Sequence, residues 1–383
     1  MHFDADVIVV GAGPVGSRVA VRLAAAGHDV ILLERRTSLG QTVCCTGIIS
    51  AQCLEQFNIS PELVLREYRE AVINAPNGDT INLRRPGVQA VMIDRAAFDR
   101  TMAEAAISSG AKICLGAKVT EIINSKESGI VRFTQAGSSH TLQSRSVVVA
   151  AGYAPKLTGQ LGLGKIRDVA LGFQTEVITH NASEVELYLD KKLTPGFFAW
   201  ISPMSETRAK IGLIARRPGD ANLQLLIQKL QSKGQIETET GEIRCRAIPL
   251  STLPRTYANR VLVVGDSAGQ VKPTTGGGLY YGLLCADIAS DVLNPALAEN
   301  DLSANSLKKY EKTWRMAIGR DLRIGRFGRY LFQHLSEGQL NRMMLKARDS
   351  GVIDKLLRDD GFSFDWHGKA ILKAAGAVLT SII

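Results

Sequence analysis

Nowhere in the 383-residue sequence do apolar residues run uninterrupted for the roughly 18 positions that read as a membrane span. The first residues also lack a basic leader region and a cleavage site and move straight into a strand pattern, so an intracellular, cytoplasmic protein is expected. Cysteine is sparse. The six thiols, at positions 44, 45, 53, 114, 245 and 285, form no CxxC pair, which argues against a zinc site or a thioredoxin-like motif and leaves reduced thiols as the default. The six histidines are scattered without ligand spacing, so no metal is expected. Internal repeats and low-complexity tracts are missing as well. What remains is an ordinary globular composition, 45% apolar and 22% charged, in a chain long enough for two domains or for one discontinuous domain with an insertion.

Charge is unevenly placed. Between Lys308 and Arg348 eleven Lys or Arg stand against three acidic residues, so this stretch carries nearly all of the formal net charge of +9. Such a segment suggests anionic partners, either phosphorylated substrates or lipid head groups; nucleic acid is not among the expected partners. Within it Arg320, Arg323, Arg326 and Arg329 recur every three residues and form a wide basic band on a helix. The band reads either as a solvated face or as a surface seated on anionic lipid, with the final "AILKAAGAVLTSII" adding an interfacial apolar contact.

Along the chain, residues 5 to 36 read as strand, glycine turn, helix and strand, a βαβ unit. A helix follows over "DRAAFDRTMAEAAISS", then a strand meander, then "RSVVVAAG", an apolar run of the kind buried in a parallel sheet. Residues 171 to 215 alternate in the manner of an antiparallel sheet, and "RVLVVGD" restores the buried parallel pattern. The expected fold is therefore α/β, with a Rossmann-type dinucleotide domain over 1–165 and 246–300, an inserted antiparallel-sheet substrate domain over 166–245, and a helical C-terminal segment over 301–383.

Two glycine-bearing turns carry the chemistry. In Gly11-Ala12-Gly13-Pro14-Val15-Gly16, Gly11 permits the tight turn, Gly13 lets the backbone approach a pyrophosphate, and Gly16 lets helix and strand pack closely. Glu34 ends the next strand 18 residues after Gly16, near the spacing expected of an acid that binds ribose hydroxyls and repels a 2′-phosphate, which suits FAD or NAD. The second turn, about 250 residues on, decides between them, because FAD has a ribityl chain and a ring still to be held. Gly265-Asp266 ends a buried strand where the carboxylate can accept from ribityl hydroxyls. Gly276, Gly277 and Gly278 let the backbone come close to the ring, and the next helix points its positive end there.

These residues, with "DRAAFD", "AAGY" at 150–153 and "PGFFAWISP" at 195–203, resemble the geranylgeranyl reductase family, within the flavoproteins that share a glutathione-reductase-type or para-hydroxybenzoate-hydroxylase-type FAD fold. The resemblance covers nearly the full length. It implies FAD contacts at Pro14, Arg35, Ala151 and Gly152, and at Arg95, which is otherwise a solvated helix-start arginine. The family's YxWxFP cavity motif appears as Phe198, Trp200, Ser202 and Pro203, so that Phe198, Trp200 and Pro203 are expected either to line an apolar tunnel or to pack in the sheet core. Cys45, but not Cys44, matches the position of a loop cysteine near the flavin, where a thiol donates a proton or serves as a small buried apolar group. The implied activity is FAD-dependent saturation of C=C bonds in a prenyl chain on a lipid, diphosphate or similar carrier, fed by NAD(P)H, a ferredoxin or a quinol, at the inner face of the membrane if the basic band meets lipid. Two alternatives stay open: a monooxygenase or halogenase of the same fold, and a non-catalytic lipid-binding protein that retains FAD.

Overall fold

In the computed structural model residues 2–41, 44–180, 183–358, 363–366, 368 and 371 are described. By compactness the chain divides into two units, Met1–Val43 with Arg95–Val169 and Pro249–Arg320, and Cys44–Asp94 with Ala170–Ile248 and Asp321–Ile383.

The first unit is built on a sheet in the order Tyr257–Ala258, Val261–Val263, Ser138–Val149, Ala5–Val10, Val30–Glu34, Lys112–Leu115. All of its neighbours run parallel except the short first pair. Val7 to Val9, Leu32, Val147 to Val149 and Val261 to Val263 are fully buried, as β-branched and leucine runs covered on both faces must be. The expected meander, Lys118–Asn124 and Gly129–Gln135, adds on antiparallel to Ser138–Val149. Helix Pro14–Ala25 starts with proline at its first turn, where no N–H is needed, and buries Val19, Ala20, Leu23 and Ala24 at helical spacing. It packs against the long helix Leu279–Ala298 and against Arg95–Ser108. At the first of these contacts a Cβ on Gly282 would stand 2.6 Å from Val15 Cγ2, so the helices approach through a glycine. Arg18 and Arg22 then tie Asp287 and Asp291 across the pair at 2.7 and 2.5 Å.

The second unit holds a sheet in the order Ile236–Thr240, Val169–Thr179, Arg208–Ala215, Ala199–Pro203, Val185–Tyr188, Glu70–Asn74, Thr80–Arg84. Its faces differ. Phe173, Val177, Ala199, Ile201, Ile211 and Leu213 form an apolar core beneath helix Asp220–Ser232, which contributes Leu223, Leu226, Ile227 and Leu230. By alternation along the strands, Gln174, Trp200, Ser202, Lys210 and Gly212 occupy the opposite face. Residues 44–94, for which the sequence yielded no strand assignment, supply five strands of this unit. Three form a small sheet of their own, and Glu70–Asn74 pairs parallel with Val185–Tyr188.

The described part of the C-terminal segment is mostly helical, as Ala304–His334, Glu337–Asp349 and Val352–Arg358. The arginine band is narrower than its spacing suggested. Arg320, Arg323 and Arg326 are exposed, but Arg329 is 7% exposed and stacks over the buried Phe197 ring at 5.7 Å. The apolar stretch 370–383 lies outside the described residues apart from Ile371. Among the described residues no helix is long and apolar enough to cross a membrane, and no cluster could hold a metal ion.

The glycine contact between helices yields a stability prediction. Gly282→Val forces Val15 to move, and the urea midpoint should fall by the equivalent of about 1–3 kcal/mol, the usual cost of overpacking. An unchanged midpoint would show that the two helices do not need so close an approach.

Candidate active site

In the first unit the residues singled out from the sequence converge at one end of the parallel sheet. Val10 pairs with Val149 and with Leu33, and Val149 with Val263, so three turns leave adjacent strands at their carboxyl ends, where open α/β sheets bind ligands. Gly11, at φ +103°, is pressed against the next turn: a Cβ there would lie 2.6 Å from Ala150 O. A Cβ on Gly16 would lie 1.9 Å from Gly11 O. Gly13 has nothing within 4 Å of that position, which leaves its side of the turn open to a ligand. Glu34 is held by the same turn, accepting from Ala12 N at 3.0 Å and from Arg36 N at 2.9 Å. A carboxylate offers about four acceptor positions, so capacity for ribose hydroxyls remains.

The second glycine turn comes to the same place. Val15 of the first turn lies 3.2 Å from where a Cβ on Gly265 would stand, and Ser267 Oγ donates to Gly152 O at 2.5 Å. A Cβ on Gly278 would lie 2.8 Å from Asp266 Oδ1, so the carboxylate and the glycine cluster touch. Gly276, at φ +72°, bends the loop that Lys272 N and Gly277 O close at 3.0 Å, and Gly278 caps helix Leu279–Ala298 without a side-chain partner. The arrangement fits a dinucleotide: an open glycine face at a helix start for phosphates, a tethered carboxylate for ribose and a second carboxylate beside a loop with no room for side chains. Arg35 is exposed. Arg95 is 7% exposed and bound to Asp99 at 2.9 Å, so the solvated helix-start reading fails. Sequence reasoning missed Lys272, a buried lysine whose stem lies 3.0 Å from where a Cβ on Gly277 would be.

In the second unit the Cys44–Thr46 loop lies on the sheet face that carries Trp200. Gln174 Nε2 donates to Cys45 O at 3.2 Å, Thr46 Oγ1 donates to Gln174 Oε1 at 3.0 Å, and the Lys210 ammonium donates to Cys45 O and Thr46 O at 3.3 Å each. The Trp200 ring covers Gly212, where a Cβ would come 2.3 Å from Cζ2, and stands 5.9 Å from the Phe198 ring. Trp200 Nε1 and Ser202 Oγ are buried without a hydrogen-bond partner among the described residues, which leaves two donors on this face for a water or a ligand oxygen. Pro203 projects from the other face with Ala199 and Ile201, and its carbonyl accepts from the Tyr68 hydroxyl.

The two adjacent thiols differ. Cys44 Sγ donates to the carbonyls of Arg244 and Gly172 at 3.4 and 3.7 Å, and burial, with the neighbouring Cys45 adding to it, pushes its thiol up to about 11. Its proton is therefore committed to the backbone. Two cavities occur elsewhere in this unit, about 460 Å³ beside Leu171, Phe173 and Cys245 and about 420 Å³ between Arg69, Arg84 and Arg85; the Trp200 wall lines neither.

A family model described as Lycopene cyclase protein matches residues 6–349. Over 392 aligned positions the chain is 31% identical to digeranylgeranylglycerophospholipid reductase 2 of Methanopyrus kandleri, covering 98% of this chain and 96% of that one. Among solved structures it is similar to a geranylgeranyl bacteriochlorophyll reductase-like protein from Thermoplasma acidophilum, with a TM-score of 0.84 and 21% identity over 99% of this chain and 98% of that one. It is also similar to p-nitrophenol 4-monooxygenase from Pseudomonas putida, with a TM-score of 0.72 and 16% identity over 99% and 98%. At these identities the likeness to the solved structures is one of fold.

The state of Cys44 can be checked by alkylation in a Cys45→Ser variant. With its thiol pushed up to about 11, about one molecule in a thousand carries the thiolate at pH 8, and labelling should rise about tenfold per pH unit towards that value. Complete labelling of Cys44 at neutral pH, read by peptide mass mapping, would contradict the assignment.

Proposed function

We propose a function from the premise that this chain belongs both to the family described as Lycopene cyclase protein and to the geranylgeranyl reductase family of FAD-dependent oxidoreductases: it saturates carbon–carbon double bonds of geranylgeranyl chains carried on a glycerophospholipid. The observation that carries this reading is the 31% identity, over 98% of the chain, with a protein named for reducing digeranylgeranylglycerophospholipid. The Trp200 and Phe198 rings support it, as an apolar wall suited to an isoprenoid.

Each bond saturated takes up two electrons and two protons. FAD, when bound, supplies the two-electron reduction, replenished by an external donor of the nicotinamide, ferredoxin or quinol class. Gly11, Gly13, Pro14 and Gly16 would hold its pyrophosphate, Glu34 its ribose, and Asp266 with Gly276 to Gly278 its ribityl and ring end; by the family resemblance Arg35, Arg95, Ala151, Gly152 and Gly265 would complete the cradle. An unactivated alkene has no carbonyl for the protein to polarise, so placement of the chain carries much of the rate effect. The family resemblance implies Cys45 Sγ as the source of the proton for the second alkene carbon, and the hold of two carbonyls on the Cys44 proton supports Cys45 over its neighbour. Contact with an anionic membrane surface is supported by Arg323 and Arg326, exposed on one helix with Phe327, Tyr330 and Leu331.

Purified FAD-loaded protein, given a digeranylgeranyl glycerophospholipid and dithionite without oxygen, should add one dihydrogen per bond, read by mass spectrometry. Trp200→Ala should lower kcat/KM by about tenfold or more, since positioning contacts are worth that much. Oxygen consumption coupled to a hydroxylated or halogenated product would favour the monooxygenase or halogenase reading instead. In a separate assay, binding to phosphatidylglycerol vesicles should weaken with added salt and in an Arg323→Ser, Arg326→Ser double variant. Equal binding to neutral vesicles would remove the membrane assignment.

A further inference from the structure

Lys210 lies in a strand, Arg208–Ala215, in which every residue after Arg208 is buried. The lysine itself is 7% exposed. A buried ammonium persists only where acceptors replace the water it has lost. Here those acceptors include the carbonyl oxygens of Cys45 and Thr46, each at 3.3 Å. Gln174, 8% exposed on the neighbouring strand, reaches the same two residues: its amide nitrogen donates to Cys45 O at 3.2 Å and its amide oxygen accepts from Thr46 Oγ1 at 3.0 Å. Two strands thus fasten one dipeptide through four side-chain hydrogen bonds.

Strand register gives this clamp its meaning. Gly212 is paired on one side with Gln174 and on the other with Trp200, while Lys210 is paired with Ser202. The face that grips the cysteine loop is therefore the face that carries Trp200, and the opposite face carries the apolar core. We propose that Lys210, assisted by Gln174, is a positioning residue that fixes Cys45 over the Trp200 wall. The inference rests on the reading of Cys45 as the proton donor and goes beyond it by saying what holds that residue in place. An ammonium suits the task because it brings several donors to one point and can bridge successive carbonyls, whereas a methionine of similar length brings none.

The test uses the FAD-loaded full chain and its Lys210→Met, Lys210→Gln and Lys210→Arg variants. The first readout is the rate of iodoacetamide labelling at Cys45, localised by peptide mapping, with the exposed Cys245 as internal standard. Lys210→Met should change the Cys45 rate by about fivefold or more without altering the Cys245 rate, and Lys210→Arg should restore part of it. With a prenyl lipid, kcat should fall by about tenfold or more while KM stays within about twofold, the pattern of a misplaced reacting group. If Lys210→Met does not fold, Lys210→Gln, which keeps a neutral donor, is read in the same way. Unchanged labelling of Cys45 in the folded variants would overturn the proposal. Cys45→Ala separates the two ideas: if it leaves kcat intact while the Lys210 variants still change labelling, the clamp stands and the proton-donor role of Cys45 falls.

Discussion

The candidate dinucleotide site depends on approaches to glycine backbone that a side chain would block. Gly11 lies against Ala150, Gly16 against Gly11, and Gly265 and Gly282 against Val15, at separations where an ideal Cβ would stand between 1.9 and 3.2 Å from its neighbour. Gly11, Gly265 and Gly282 each remove an obstacle between two segments far apart in the chain, and Gly16 removes one within the first turn itself. Their combined effect is to bring three turns from adjacent parallel strands to one end of the sheet, with Glu34 tethered to the first turn and Asp266 against Gly278 of the second glycine turn. A ligand that needs phosphate, ribose and ring contacts at once can be gripped there because the strands have already set the spacing.

The second unit solves a different problem. One face of its sheet is a conventional apolar core against helix Asp220–Ser232, and the other carries an aromatic wall beside a small buried polar network. Burying Lys210 and Gln174 costs desolvation, and the carbonyls of Cys45 and Thr46 offset it. The network gives a loop without regular structure a defined seat. It also separates two thiols that are neighbours in sequence, since Cys44 turns its proton to Arg244 and Gly172.

The wide basic band expected from the sequence loses its last member to the core. Residues spaced by three drift about 60° per step, so nine residues place Arg329 half a turn from Arg320, and it enters the core over Phe197 instead of extending the basic band. In residues 44–94 the strands are only three to five residues long, and although Glu70–Asn74 and Thr80–Arg84 form a local hairpin, the partner that joins Glu70–Asn74 to the larger sheet lies more than a hundred residues away in a parallel pairing, which leaves no local signal. Lys210 was visible as a charge within the apolar run "RAKIGLIA", a pattern that calls for an acceptor, but the identity of that acceptor is not a local property.

By itself the sequence determined the features that local chemistry settles: the strand, glycine turn and helix at the start, the acid that ends the next strand, the second glycine cluster, and the helical C-terminal segment. These depend on residues a few positions apart, and steric limits on the backbone permit few outcomes. Tertiary structure alone decided that Val15 bridges the two glycine turns, that Pro203 and Trp200 leave opposite faces of one strand, and that a lysine on a distant strand holds the Cys45 carbonyl. The first and last of these are contacts between segments whose separation along the chain carries no information about distance, and the second matters only once strand register sets what each face of the strand meets.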